Sequence, residues 1–152
     1  MPLRFGVIGA GMMGCEHLRN LLALPDAEIA VIADPDEDSR RWASLTLGDD
    51  HSAVLGTTIS DVLEREIDAV VVATPNMTHA AVLHELFAQR PDLPVLVEKP
   101  LCTTIGDCRS VMEAAANRSG IVWVGLEYRY MPPVARFLRE LENGGKRCSR
   151  ST

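Results

Sequence analysis

Apolar positions recur along this chain with two alternating periods. Short, nearly continuous apolar runs fall near Leu3–Ile8, Glu28–Ala33, Ala53–Leu55, Ala69–Ala73, Val95–Glu98 and Ile121–Gly125. Val70-Val71-Val72 and Val95-Leu96-Val97 contain no polar residue, the pattern of strands covered on both faces in a parallel sheet. Amphipathic stretches lie between the runs. Leu18, Leu21 and Leu22 form a helical stripe in the first, and Trp42, Leu45 and Leu47 in the second. Val62, Leu63 and Ile67 mark a short third, capped by Ser60 or Asp61. Ala80, Leu83, Leu86 and Phe87 mark a fourth, capped by Asn76 or Thr78. Val111, Met112 and Ala115 mark a fifth, starting near Thr103 or Thr104. The sixth runs from about Pro132 to Glu142, with Val134, Phe137, Leu138 and Leu141 at i, i+3, i+4 and i+7. Gly144-Gly145 ends it. Repeated strand–helix units imply right-handed crossovers and an open α/β parallel sheet.

The first strand–helix junction carries a glycine pattern, Gly9-Ala10-Gly11-Met12-Met13-Gly14, and Asp34 stands twenty positions beyond Gly14, at the end of the second strand. Gly9 permits a tight turn, Gly11 lets backbone approach a pyrophosphate, and Gly14 lets the helix pack closely on the strand. The phosphates would rest on unpaired N–H groups at the positive end of the helix, beside Met12 and Met13. This context predicts a Rossmann doubly wound sheet, strand order 3-2-1-4-5-6, in one nicotinamide-dinucleotide-binding domain over residues 1–145. A carboxylate at Asp34 would accept the adenosine ribose hydroxyls and repel a 2′-phosphate, favouring NAD over NADP. Arg40 and Arg41 are a counter-signal, taken here as surface charges a turn into the helix. Asp34-Pro35-Asp36 also reads as a turn and helix cap.

Composition narrows the setting. The chain has 152 residues, 47% hydrophobic and 24% charged, as expected of a globular domain. No run approaches the ~20 apolar residues of a membrane helix, and no leader pattern opens the chain, so a cytoplasmic location is expected. The net charge of −6 divides into −9 up to Gly145 and +3 beyond it, from Lys146, Arg147 and Arg150. An acidic body argues against nucleic acid as the partner. Cys15, Cys102, Cys108 and Cys148 form no C-x-x-C pair and neighbour no histidine cluster, so reduced, mostly buried thiols are expected, with no metal.

The remaining strand ends supply chemistry. Thr74-Pro75-Asn76-Met77-Thr78-His79 follows the fourth strand, and read alone His79 is a helix-surface histidine. Glu98-Lys99-Pro100-Leu101 follows the fifth. Lys99 is the only lysine in residues 1–145, where arginine fills every other cationic position. A compact ammonium able to give up its proton would explain the choice, and a structural Glu98–Lys99 pair is the other reading.

Together these motifs resemble the glucose–fructose oxidoreductase / inositol dehydrogenase / MocA family. The resemblance rests on the Gly9–Gly14 turn followed by Glu16-His17, the run Ala73 to His79, Glu98-Lys99-Pro100-Leu101, and Gly125-Leu126-Glu127-Tyr128-Arg129-Tyr130-Met131-Pro132. It covers about Leu3 to Gly145. It implies that the glycine loop holds the pyrophosphate and Asp34 the ribose. Thr74, Pro75, Asn76 and His79 would line the cofactor groove, Glu98 would lie near the nicotinamide ribose, and Arg129 near the nicotinamide end. Lys99 would be the catalytic residue, helping to move the hydroxyl proton as hydride passes between a sugar or polyol and NAD. Burial and the nicotinamide cation would favour its neutral form. The Lys99–Pro100 bond is a candidate cis peptide.

The resemblance implies a second, mostly antiparallel β-sheet domain that supplies most substrate contacts, and no part of these 152 residues is expected to form it. Lys146–Thr152 is unpatterned and expected to be a disordered basic tail, and the break after Gly145 reads as a truncation. The chain alone is then expected to bind dinucleotide without efficient catalysis, and to self-associate through the apolar face of its last helix. A stand-alone binding module, such as a redox sensor or a subunit completed by another chain, and a nonfunctional product remain as alternatives.

Overall fold

The structure, a computed structural model, describes residues 1–49 and 51–142. Six parallel strands form one sheet: β1 (Leu3–Ile8), β2 (Ala27–Ala33), β3 (Val54–Gly56), β4 (Ala69–Val72), β5 (Val95–Glu98) and β6 (Val122–Gly125). Their order is β3-β2-β1-β4-β5-β6, the order expected of a doubly wound sheet. Six helices follow the strands: α1 (Met12–Leu22), α2 (Glu37–Leu47), α3 (Ile59–Leu63), α4 (His79–Gln89), α5 (Ile105–Ala116) and α6 (Pro132–Glu142). None of the described helices is long and apolar enough to cross a membrane.

The central strands separate two cores. Val70, Val72, Val95 and Val97 face Leu83, Leu86 and Val111 of α4 and α5. Val7, Ile32 and Val71 face Leu18 and Leu21 of α1. Alternating side chains of one strand enter both cores, so a continuous Val run is stable only when helices cover both faces. The switch from β3 on one side of β1 to β4 on the other opens a crevice above the carboxyl ends of β1 and β4.

Several local expectations are corrected. In α2, Trp42 and Leu45 are exposed, and Ala43 is the buried residue, with Leu47 half-buried behind it. The helix packs close to its neighbour through a small side chain, so its bulky residues point outward. Leu22 and Met112 are likewise exposed. Thr58, not Ser60 or Asp61, caps α3, and Asp61 closes a capping box with it. Ile67 lies beyond α3 and is buried just ahead of β4. A 3-10 turn, Asn76–Thr78, leads into α4, and neither Asn76 nor Thr78 caps it with a side chain. Thr104 caps α5. Cys15 and Cys102 are buried free thiols and Cys108 is half-buried. Cys148 and the tail from Lys146 to Thr152 lie outside the described residues.

Candidate dinucleotide site

The three glycines act for three different reasons. Gly9 has φ +95°, and a Cβ there would lie 2.6 Å from backbone of Ala73, at the end of β4. Gly14 is buried in α1, and its Cβ would lie 2.1 Å from the Gly9 carbonyl oxygen. Gly11, the N-cap of α1, would present a Cβ to open space, with nothing within 4 Å. No side chain caps α1 and no acidic residue stands in its first turn. Among the described residues its leading N–H groups therefore face the crevice without a side-chain partner, which suits a pyrophosphate. Met12 and Met13 flank them at the cleft wall.

Asp34 directly follows β2 and is tied into the glycine turn. One carboxylate oxygen accepts the N–H of Ala10 at 2.7 Å, and the other accepts the N–H of Asp36 at 2.9 Å. Each oxygen retains a lone pair, so two ribose hydroxyls can still be received. Arg40 is not the surface charge expected. It is half-buried, and its guanidinium donates to the carbonyls of Asp34 at 2.7 Å and Pro35 at 2.9 Å. Arg41 is exposed. A cleft of about 710 Å³ opens here, lined by Ile8, Met12, Asp34, Thr57, Thr74 and Pro75, among others.

Beyond the switch point lie the turns after β4 and β5. The Thr78 hydroxyl donates to the Pro75 carbonyl at 2.7 Å and lies 2.9 Å from the Thr74 hydroxyl, bracing the turn on which Asn76 is exposed. His79 is not on the surface. It is 0% exposed, with its ring nitrogens 2.9 Å from the carbonyl oxygens of Thr74 and Pro100. Glu98 is also buried, and accepts from the His17 imidazole at 2.7 Å and the Lys99 backbone N–H at 3.2 Å. The Lys99–Pro100 peptide is cis.

Lys99 stands at the rim, its side chain 46% exposed and its Nζ 4.0 Å from Glu127. The burial invoked above for its proton-transfer role is not supplied by the described residues. Arg129 is exposed on the 3-10 turn Glu127–Tyr130, and the side chain that this turn brings to Lys99 is Glu127. The pairing of His17 with Glu98 and the nearness of Glu127 were missed in the sequence. The parity of β5 holds the first signal, because Leu96 and Glu98 must face opposite to Val95 and Val97.

The comparisons agree with this geometry. The family described as an oxidoreductase family with an NAD-binding Rossmann fold matches residues 3–126. An inositol 2-dehydrogenase of Saccharopolyspora erythraea is 37% identical over 95% of this chain and 42% of its own length. The rhizopine catabolism protein MocA of Rhizobium meliloti is 30% identical over 93% of this chain and 43% of its own. A myo-inositol dehydrogenase from Lactobacillus casei, solved with NAD(H) and myo-inositol, superposes with TM-score 0.85 at 26% identity. It covers 95% of this chain and 42% of that one. The chain thus spans well under half the length of these relatives. By its strand order, its glycine turn and its match over residues 3–126, the chain belongs to the glucose–fructose oxidoreductase / inositol dehydrogenase / MocA family of oxidoreductases and forms that family's NAD-binding Rossmann fold.

Proposed function

We propose that this chain binds NAD(H) in preference to NADP(H), as the cofactor half of an oxidoreductase that moves hydride between nicotinamide and a hydroxyl of a polyol such as inositol. The observation that carries the cofactor choice is Asp34, an anion on the wall of the adenosine cleft. Its carboxylate would receive ribose hydroxyls and repel a 2′-phosphate. Arg40, the nearby cation, has its Nη1 engaged by the carbonyls of Asp34 and Pro35, which commits that nitrogen to the turn. The residues present fit the group, since α1 has no side-chain cap and Gly11 leaves space for close backbone approach. Inositol 2-dehydrogenases among the relatives support the polyol class.

The glycine turn and the first N–H groups of α1 would hold the pyrophosphate. Thr74, Pro75 and Asn76 would line the groove, and Glu98, Lys99 and Arg129 would surround the nicotinamide end. Bound NAD would supply the hydride acceptor. Lys99 would exchange the hydroxyl proton, from a rim position that a substrate can reach. The buried, free thiols of Cys15 and Cys102 suit a reducing cytoplasm.

Titration of the 152-residue chain with NADH and NADPH, read by Trp42 fluorescence and calorimetry, tests the reading. NADH should bind tighter by about tenfold, the effect of one well-placed charge contact. Equal or tighter NADPH binding would refute the preference, and binding of neither would refute the function.

A further inference from the structure

Two histidines grip the Glu98-Lys99-Pro100 turn from opposite faces of the sheet. Strand alternation directs Glu98 toward α1, where His17 reaches its carboxylate at 2.7 Å. Glu98 is 8% exposed, and its second oxygen takes the backbone N–H of Lys99. From the α4 side, fully buried His79 sits between the carbonyl of Pro100, in this turn, and that of Thr74, in the turn after β4. In either tautomer a ring N–H donates to one of those carbonyls. Pro100 has no N–H to give, and the Lys99 N–H goes to a side chain, so the turn is held largely through side chains.

The adenosine cleft lies on the β2 side of the switch point. A dinucleotide crossing the sheet therefore brings its nicotinamide half to the turns after β4 and β5. We propose that His17 and His79 are positioning residues for that half. They fix the turn that presents Glu98 and Lys99, and neither ring touches the cofactor. This rests on the NAD(H) reading above.

ADP-ribose carries the adenosine and pyrophosphate of NADH without the nicotinamide, so it separates a local effect from a global one. His17→Leu and His79→Leu in the 152-residue chain are titrated with both ligands. The first leaves the buried Glu98 carboxylate short of a donor, and the second removes the one N–H that either tautomer gives to the carbonyls of Thr74 and Pro100. NADH affinity should fall about tenfold in each while ADP-ribose affinity stays within about twofold, as expected when one buried polar contact at the nicotinamide end is lost. His17→Gln, which keeps an N–H within reach of Glu98, should restore NADH binding. Parallel weakening of both ligands, loss of both through misfolding, or no change in either would overturn the proposal. If the unmodified chain binds neither ligand, the dinucleotide reading itself fails.

Discussion

Gly14→Ala is the sharpest test of how the site is built. The added Cβ would stand 2.1 Å from the Gly9 carbonyl oxygen and 2.9 Å from its carbon. A carbon approaches a carbonyl oxygen to about 3.3 Å, so turn and helix must part by about 1 Å. Both obstructing atoms are backbone, and no rotamer change relieves them. Moving α1 outward loosens Leu18 and Leu21 from the sheet. Overpacking of this kind costs about 3 kcal/mol, a fall in Tm of about 10 °C for a domain of this size. Gly11→Ala is the matched control, because its Cβ meets nothing within 4 Å. Its N-cap position makes Ala worse than Gly by about 0.5–1 kcal/mol, a few degrees. Yet its methyl would occupy the space that a pyrophosphate must enter, so NADH affinity should drop at least about tenfold. Thermal melts by circular dichroism, paired with NADH titration, separate the two. A Gly14→Ala chain that melts within about 2 °C of the unmodified protein would refute the reasoning, since that is less than about 1 kcal/mol.

Other consequences follow from single contacts. Asp34→Ser should narrow or reverse the preference for NADH over NADPH in calorimetric titration, and it should lower Tm because the Ala10 N–H loses its carboxylate acceptor. Arg118 donates to the carbonyls of Arg90 and Leu93 and lies 4.3 Å over the Phe87 ring. Arg118→Ala should therefore cost about 2 kcal/mol in a urea melt, with cofactor binding retained in the folded fraction. Burial raises the Cys102 thiol from 9.0 to about 11. The folded chain then keeps a proton that the unfolded chain loses, so this contribution to stability is present below pH 9 and lost as pH climbs from about 9 to about 11. At pH 8 only about one Cys102 in a thousand is thiolate, and maleimide should label it slowly until the chain is unfolded. Phe137 is 59% exposed and Leu141 55%, on the apolar face of α6. Sedimentation should show self-association that Phe137→Asp reduces.

Strand positions and the glycine turn were legible in the sequence because each depends on local chemistry, and strand order because repeated strand–helix units with that turn imply a doubly wound sheet. Consecutive Val residues state that both faces of β4 and β5 are covered, and Gly9 occupies a φ that other residues resist. Asp34 was legible as the residue following β2, and the cis Lys99–Pro100 bond through family resemblance. The sequence alone did not disclose which side chains meet. Asp34 holds the Ala10 N–H, His17 reaches Glu98 across 81 positions, and His79 is enclosed between two proline turns. Trp42 is exposed and Ala43 buried for the same reason, since hydrophobicity does not say whether a helix packs close through a small residue or stands off on a large one. Period, turn chemistry and residue type act over a few residues and are written in the chain. Parity across a sheet and the meeting of distant strand ends exist only after the crossovers are made, and tertiary structure decides them.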